Sequence, residues 1–245
     1  MNKEIPILMY HSIAKSLKGD KMRGLSVPPN LFARHMSILR FLGYQGLSLE
    51  KLEPYLTGTK SGKVIGITFD DGYQDNYISA LPILKRYGFS STCFLVPNLI
   101  GKTNSWDVKY GIREKKLMTY DDIDIWIKSG MEIGSHTLNH IKLSKCADED
   151  LNNEILLSKR NLEKIFGVSI KSFCYPYGDF NQKVKEKVIE YGYTMATTTY
   201  RGHASCSRDM FSLPRVLITH RTYSHLLLLK LLTKYEEKRN RDNYS

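Results

Sequence analysis

The sequence predicts an α/β fold in which helices cover a mainly parallel sheet. Five times along the chain a helical pattern ends at a glycine and a strand-like run follows. A further run, Val64–Phe69, is apolar on nearly every residue, as expected of a strand covered on both faces. The units are spread evenly along most of the chain, which favours a barrel over an open sheet. No low-complexity linker divides them, so we predict one domain.

The helices are predicted from apolar residues at helical spacing, each closed by a glycine at the position where a left-handed residue commonly ends a helix. They cover 30–43, 77–88, 119–130, 148–167 and 181–192. The strand-like runs that follow them are YQGLSL, FSSTCFLV, MEIGSH, VSIKSFCY and YTMATT. An earlier strand, ILMY, comes before these units near the start of the chain.

Two segments depart from the repeating pattern. The irregular stretch 97–118 is long enough to be a functional loop beside a site. The last segment, 223–245, has a dense leucine stripe and a basic end, which predicts an amphipathic helix and tail packed on the domain formed by 1–222. A peripheral membrane contact is the alternative for this helix, because its leucines stand beside Lys and Arg.

Two adjacent carboxylates, Asp70 and Asp71, directly follow the buried run Val64–Phe69 and precede Gly72. Ending a buried strand in two charges is costly unless something compensates them. In parallel α/β sheets the carboxyl ends of the strands are where active sites gather. A simple Asx-type turn with a capping role is the alternative for this stretch.

Two histidines at the end of another strand make a metal site the stronger interpretation. The run MEIGSHTLNH passes from apolar to polar residues and contains His136 and His140. Histidines four residues apart can converge on one ion, and one carboxylate completes a His₂Asp set with open positions for water and substrate. Such a set is typical of a catalytic divalent metal.

The motif TFDDG together with SHTLNH resembles the polysaccharide deacetylases of carbohydrate esterase family four, which have the NodB-homology fold. The resemblance implies a distorted, incomplete (β/α) barrel and a metal-dependent hydrolase that removes acetyl groups from polysaccharides. By position it implies that Asp70 is the general base and that Asp71, His136 and His140 are the metal ligands. Zinc is the first expectation for such ligands, although other divalent ions fit them.

The third motif of the family, Arg-x-Pro-Tyr, is altered in this chain. It reads FCYPYGDF, so that Cys174 stands at the position of the arginine while Pro176 and Tyr177 are kept. The resemblance implies that the backbone N–H of Tyr177 faces the oxyanion. We predict that Arg215, in SLPRVLI, replaces the missing arginine and orients Asp70, because the base needs a balancing charge.

The general acid has two candidates. The run ILMYHSI resembles the N-terminal segment of the branch that deacetylates poly-N-acetylglucosamine, where the motif order is circularly permuted and this histidine acts as the acid. The same branch carries the Tyr-Pro-Tyr-Gly form of the third motif, which favours His11. His220, in RVLITH, is the alternative acid, and a purely structural His11 is the third interpretation.

Three further residues receive weaker predictions. Trp106 and Tyr110, in the irregular stretch, are equally compatible with stacking on a sugar and with capping the barrel. Asp75, in GYQDN, is predicted to be a helix cap rather than a catalytic group.

Composition narrows the partners and the location. The net charge is +11, but Lys and Arg are spread along the chain and no nucleic-acid motif accompanies them, so we expect no nucleic-acid partner. The N-terminus lacks the features of a signal peptide, so with Met1 as the native start we expect a cytoplasmic protein, or one peripheral at the inner membrane face. The expected substrate is then a saccharide precursor, lipid- or nucleotide-linked.

Two rival functions remain open at the level of sequence. The first is a metal-dependent hydrolase that cleaves a non-sugar C–N bond on the same scaffold. The second is a non-catalytic saccharide- or nucleic-acid-binding module. The intact set Asp70, Asp71, His136 and His140 argues against the second, because a binding module has no need of a free carboxylate beside a metal.

Overall fold

The computed structural model describes residues 4–16, 19–205 and 208–241; for residues 240 and 241 it describes the backbone alone. Its eight strands all run parallel within one sheet. They are β1 (Ile7–Tyr10), β2 (Gln45–Leu47), β3 (Val64–Phe69), β4 (Thr92–Leu95), β5 (Glu132–Ser135), β6 (Ser172–Cys174), β7 (Met195–Arg201) and β8 (Leu213–Leu217).

The sheet closes into a ring because β1 pairs with both β8 and β3. Seven strands form the ring, in the order β1, β3, β4, β5, β6, β7 and β8. Strand β2 lies outside the ring. It pairs with the amino-terminal half of β3, and β4 pairs with the carboxyl-terminal half of the same edge. The ring is irregular, with a single residue pair between β5 and β6 and a bulge in β7. The predicted distorted, incomplete barrel is confirmed.

Nine α-helices of the described chain cover the outside of this ring. They are α1 (Pro29–Phe41), α2 (Leu49–Leu56), α3 (Leu81–Tyr87), α4 (Tyr120–Lys128), α5 (Asp148–Asn152), α6 (Ser158–Phe166), α7 (Gln182–Glu190), α8 (Ser224–Leu232) and α9 (Tyr235–Arg241). Short π-helical turns lead into α3 and join α5 to α6, so the predicted helices over 77–88 and 148–167 are each one continuous helical run. None of the described helices is both long and apolar enough to span a bilayer.

The period of two along the strands separates the core from the mouth of the barrel. In β1, Leu8 and Tyr10 pack in the large apolar core, whereas Met9 and the following His11 line a cavity. Strands β1 and β3 are in register at Tyr10 and Phe69. The residues that come next, His11 and Asp70, therefore emerge side by side at the carboxyl end of the ring.

The segment 223–245, predicted as an amphipathic helix and tail, contains two separate helices in its described part, α8 and α9. The break is at Thr233, whose backbone is extended (φ −136°, ψ 172°). Its hydroxyl donates a 2.6 Å hydrogen bond to the Leu229 carbonyl and accepts one of 3.2 Å from the Tyr235 N–H, so it serves the end of one helix and the start of the next.

Both C-terminal helices contact the barrel. Leu227 and Leu231 of α8 are buried in the large core, and the Lys230 ammonium donates a 2.8 Å hydrogen bond to the Leu217 carbonyl at the end of β8. Residues 242–245 of the predicted tail lie outside the described residues. The boundary at residue 222 stays a prediction.

Candidate active site

Three side chains that the sequence predicts as metal ligands converge at the carboxyl end of the ring. Asp71 follows β3, and His136 and His140 follow β5. Asp71 Oδ1 lies 3.5 Å from His136 Nε2 and 3.2 Å from His140 Nε2, and all three residues are buried. Burial raises the pKa of the Asp71 carboxyl. The hydrogen bonds from the two imidazoles outweigh this effect and hold the pKa well below its ordinary value.

This arrangement fits a divalent metal ion. His136 Nδ1 donates to the Cys174 carbonyl at 2.7 Å, so Nε2 would present its lone pair to a bound ion in place of its hydrogen bond to Asp71. Ligand atoms placed tetrahedrally about 2.0–2.2 Å from a zinc ion are about 3.4 Å apart. The distances from Asp71 to the two histidines are close to that spacing. The donor set of two imidazoles and one carboxylate is likewise suited to zinc and to related ions.

The backbone around the site is held in an unfavourable conformation. In the described chain, the non-glycine residues with positive φ are Asp71 (73°), Thr137 (64°), His140 (57°) and Tyr177 (60°). Three of them line the cavity, and the fourth, Thr137, accepts a 2.9 Å hydrogen bond from the His140 N–H through its hydroxyl. Such backbone costs about 1–3 kcal/mol per residue and clusters at functional sites.

The second carboxylate, Asp70, has a different partner. Arg215 of β8 binds it through two hydrogen bonds of 2.7 Å, one to each carboxylate oxygen. Arg215 is fully buried and also donates to the Thr68 hydroxyl at 3.0 Å and to Cys174 Sγ at 3.2 Å. Burial raises the pKa of the Asp70 carboxyl, but the charge and hydrogen bonds of Arg215 outweigh it, so that the pKa lies below its ordinary value.

The altered third motif is consistent with this contact. Cys174 stands in β6 at the position where the resemblance implies an arginine, and its small side chain lies against the guanidinium that arrives from β8. Arg215 thus contacts the carboxylate that the sequence predicted it to contact.

His11 follows β1, which pairs with one edge of β3. His136 and His140 follow β5, which lies beyond β4 on the other side of β3. The Nε2 atom of His11 is 3.8 Å from Asp70 Oδ2, and the His11 side chain is 14% exposed.

The chain after His11 is fixed by Asp75, which accepts hydrogen bonds from the Ile13 N–H (2.7 Å) and the Ser12 hydroxyl (2.6 Å). Asp75 stands at the N-cap position of the π-helical turn Asn76–Ala80, as predicted, but its carboxylate makes no capping hydrogen bond there because it binds these distant groups.

The alternative acid, His220, is placed elsewhere. Its backbone N–H donates to the Gly24 carbonyl at 3.1 Å, and its ring faces the same carbonyl. It is not among the residues that line the cavity, whereas His11 is.

The cavity over these groups has a volume of about 470 Å³, within the range of ligand sites. Trp106 stacks on the His140 ring at 4.3 Å, and Tyr177 meets the same ring edge-on at 4.8 Å. Tyr110 also lines the cavity and is 49% exposed. The irregular stretch 97–118 therefore borders the site as predicted, through its 3₁₀ turn at Ser105–Tyr110.

Three cavity-lining polar residues were not identified from the sequence. Thr199 and Arg201 alternate along β7, and Asp107 stands in the 3₁₀ turn. The alternation in TTTYR was a usable signal, because residues two apart in a strand share a face. No comparable signal in the sequence marks Asp107. In the structure, burial raises the pKa of the Asp107 carboxyl.

Comparison with known proteins identifies the family of this chain. A model of the polysaccharide deacetylase family matches residues 57–196. YxkH of Bacillus subtilis, a protein named for the same family, is 34% identical over 218 residues, which are 88% of this chain and 72% of YxkH. The poly-β-1,6-N-acetyl-D-glucosamine N-deacetylase of Staphylococcus epidermidis is 26% identical over 90% of this chain and 81% of its own.

The fold of this chain is also similar to that of a solved deacetylase structure. The deacetylase PplD of Streptococcus pyogenes, in complex with acetate, superposes with a TM-score of 0.83 at 28% identity. The match covers 94% of this chain and 99% of PplD. Because the family model matches more than half of the chain and YxkH is 34% identical over most of it, the chain belongs to the polysaccharide deacetylase family.

Proposed function

We propose that this polysaccharide deacetylase is a metal-dependent hydrolase that removes acetyl groups from the N-acetylated sugars of a saccharide or polysaccharide precursor. Asp71, His136 and His140 hold a divalent ion, with zinc as the first expectation, and Asp70 is the catalytic base. The observation that carries the proposal is that the two neighbouring carboxylates have different partners. Arg215 binds Asp70, whereas Asp71 faces two imidazole nitrogens.

The proposed chemistry divides between the ion and the side chains. When bound, the ion would polarise the acetyl carbonyl and lower the pKa of the attacking water. Asp70 takes the proton of that water, because it is ionised and its orientation is fixed by Arg215. The backbone N–H of Tyr177, in the turn Pro176–Gly178 beside the cavity, is proposed to donate to the oxygen on which negative charge develops.

His11 is proposed as the acid that delivers a proton to the leaving amine. Its position beside Asp70 and its place in the cavity lining support this role. Its Nε2 is the nitrogen that faces Asp70. Its Nδ1 is buried and has no hydrogen-bond partner in the described chain. His220 contacts Gly24 and is not among the residues that line the cavity, which argues against the alternative acid.

The substrate class follows from the relatives. One of them is named for poly-β-1,6-N-acetyl-D-glucosamine, so we propose a glycan that contains N-acetylglucosamine. In this chain the exposed rings of Tyr110 and Tyr177 are available to stack on sugar rings beside the site. The net charge of +11 favours a substrate that carries phosphate, such as a lipid- or nucleotide-linked saccharide.

The experiment that tests this function is acetate release from N-acetylglucosamine oligomers by the zinc-loaded protein and its His11→Ala and His220→Ala variants. We expect wild-type turnover, loss of about 10²-fold or more in His11→Ala at unchanged metal content, and little change in His220→Ala. Loss in His220→Ala alone would reverse the assignment of the acid. Absence of acetate from all three proteins would contradict the deacetylase proposal for this substrate.

We also propose a cytoplasmic location, with peripheral attachment at the inner membrane face through α8. Leu229 and Leu232 of this helix are exposed, and Lys234 follows them. Fractionation of cells that produce the protein tests the location, and sedimentation with liposomes tests the attachment. We expect binding to anionic liposomes only; tight binding to neutral liposomes, or none to anionic ones, would remove the electrostatic basis of the proposal.

A further inference from the structure

Arg201, at the carboxyl end of β7, brings a permanent positive charge to the cavity wall. It is the only Lys or Arg among the cavity-lining residues of the described chain. In the sheet it stands directly opposite Arg215 of β8. Like charges at opposed positions of neighbouring strands repel, so each of these arginines needs its own counter-charge. Arg215 has Asp70.

The counter-charge of Arg201 comes from α9, the last helix of the chain. Glu236 accepts hydrogen bonds from Arg201 Nε at 2.7 Å and from Nη2 at 2.9 Å, a two-pronged contact that fixes the plane of the guanidinium. Glu236 is fully buried, yet the Arg201 side chain remains 17% exposed. The helix therefore holds the arginine at the cavity surface without covering it.

A second cation contacts the same carboxylate. Glu236 is also bound by the buried Lys230 ammonium of α8, so two cations share one carboxylate.

Lysines at the cavity rim extend the positive charge. Lys142 lies over the Tyr177 ring at 5.5 Å and Lys109 over the Tyr110 ring at 5.1 Å. Lys21 donates a 2.8 Å hydrogen bond to the Tyr110 carbonyl. Both exposed tyrosines of the cavity, which are suited to stack on sugar rings, thus have cations beside them.

We infer that Arg201 binds an anionic group, a phosphate or a carboxylate, that the acetylated glycan carries near the sugar to be deacetylated. Glu236 is the positioning residue for Arg201. The planar guanidinium suits both anions, because it offers parallel donors to two oxygens. The inference rests on the proposed function and adds to it the chemical class of substrate and the residue that selects it.

The test compares matched glycans on matched proteins. The glycans are an N-acetylglucosamine tetramer, the same tetramer with a reducing-end phosphate, and a tetramer in which alternate sugars carry a carboxylate. The proteins are the zinc-loaded wild type, Arg201→Gln, Arg201→Lys and, as a control with the same charge change on the exposed surface of α3, Arg86→Gln. The readout is kcat/KM for acetate release, with thermal unfolding to verify that each variant is folded.

We expect the wild type and Arg86→Gln to prefer one of the anionic tetramers over the neutral one by about tenfold, mainly through KM. Arg201→Gln should bring the ratio of anionic to neutral kcat/KM close to one. Arg201→Lys should fall between them, because it keeps the charge and loses the paired donors. Comparison of the phosphate and carboxylate tetramers identifies which anion is bound.

Equal kcat/KM for all three tetramers in the wild type would overturn the inference, as would a preference that survives in Arg201→Gln. If no protein releases acetate, the proposed function fails, and calorimetric binding of the same unreacted tetramers decides the inference separately. Tighter binding of an anionic tetramer that is lost in Arg201→Gln would then support it. Equal binding of all tetramers would overturn it.

Discussion

Replacement of Arg215 tests the central electrostatic feature of the site. Arg215 donates to both oxygens of Asp70, to the Thr68 hydroxyl and to the Thr198 carbonyl, the last at 2.9 Å. Arg215→Met keeps much of the side-chain volume and removes every one of these hydrogen bonds. Arg215→Lys keeps the charge but cannot bind both oxygens of a carboxylate in the plane of a guanidinium.

The size of the effect follows from burial. Removing one partner of a buried ion pair costs about 3–5 kcal/mol, because the other charge is left without compensation. Without Arg215, burial is the dominant influence on Asp70 and raises the pKa of its carboxyl, which makes it a poor base. General base catalysis contributes about 10²–10⁴-fold, so we expect kcat of Arg215→Met to fall by at least about 10²-fold. Arg215→Lys should lose less.

The assays are acetate release, metal content and unfolding in denaturant. Metal content should stay unchanged, since the proposed ligands Asp71, His136 and His140 do not bind Arg215. A double-mutant cycle with Asp70→Asn isolates the pair, and we expect the double variant to be more stable than Arg215→Met alone. Wild-type turnover in Arg215→Met, or loss of its metal together with its activity, would refute the reasoning.

Three further outcomes are expected. Dialysis against a chelator should abolish acetate release and zinc should restore it; activity that survives metal removal would contradict the metal-dependent mechanism. Glu236→Gln should lower the free energy of unfolding by about 3–5 kcal/mol, because Lys230 and Arg201 lose their shared carboxylate; a change below 1 kcal/mol in denaturant unfolding would show that the pair is not effectively buried. Burial lowers the pKa of His35 to about 4, so its contribution to stability is complete above the unfolded pKa near 6.5 and is lost as the pH falls through about 4. Unfolding at pH 7 and pH 4 should show up to about 3 kcal/mol of this loss in the wild type and not in His35→Gln, and an identical loss in both proteins would exclude His35 as its source.

The barrel and the main motifs could be predicted because they depend on local patterns. Helical spacing closed by a glycine, followed by a strand-like run, identifies the repeating units without knowledge of their partners. Asp70 and Asp71 could be located for the same reason, since polar residues at the end of an apolar strand mark the mouth of a parallel barrel. The break at Thr233 was missed because a dense leucine stripe continues the helical pattern up to it.

The roles of Asp75 and Arg201 could not be predicted from local pattern. Asp75 binds Ser12 and Ile13, which are more than sixty positions away in the sequence, and only the pairing of β1 with β3 brings them together. Arg201 meets Glu236 only because α9 returns to the end of β7.

The sequence by itself determined the repeating α/β units, the order of the two motifs and the residue types able to hold a metal and accept a proton. The contact of Arg215 with Asp70 was predicted from the sequence, whereas only the tertiary structure decided that Arg201 meets Glu236 and that His11, rather than His220, lies beside Asp70. The physical reason is that strand and helix patterns are set by neighbours in the chain. Ion pairs depend instead on ring closure and strand register, which join residues that are distant in sequence.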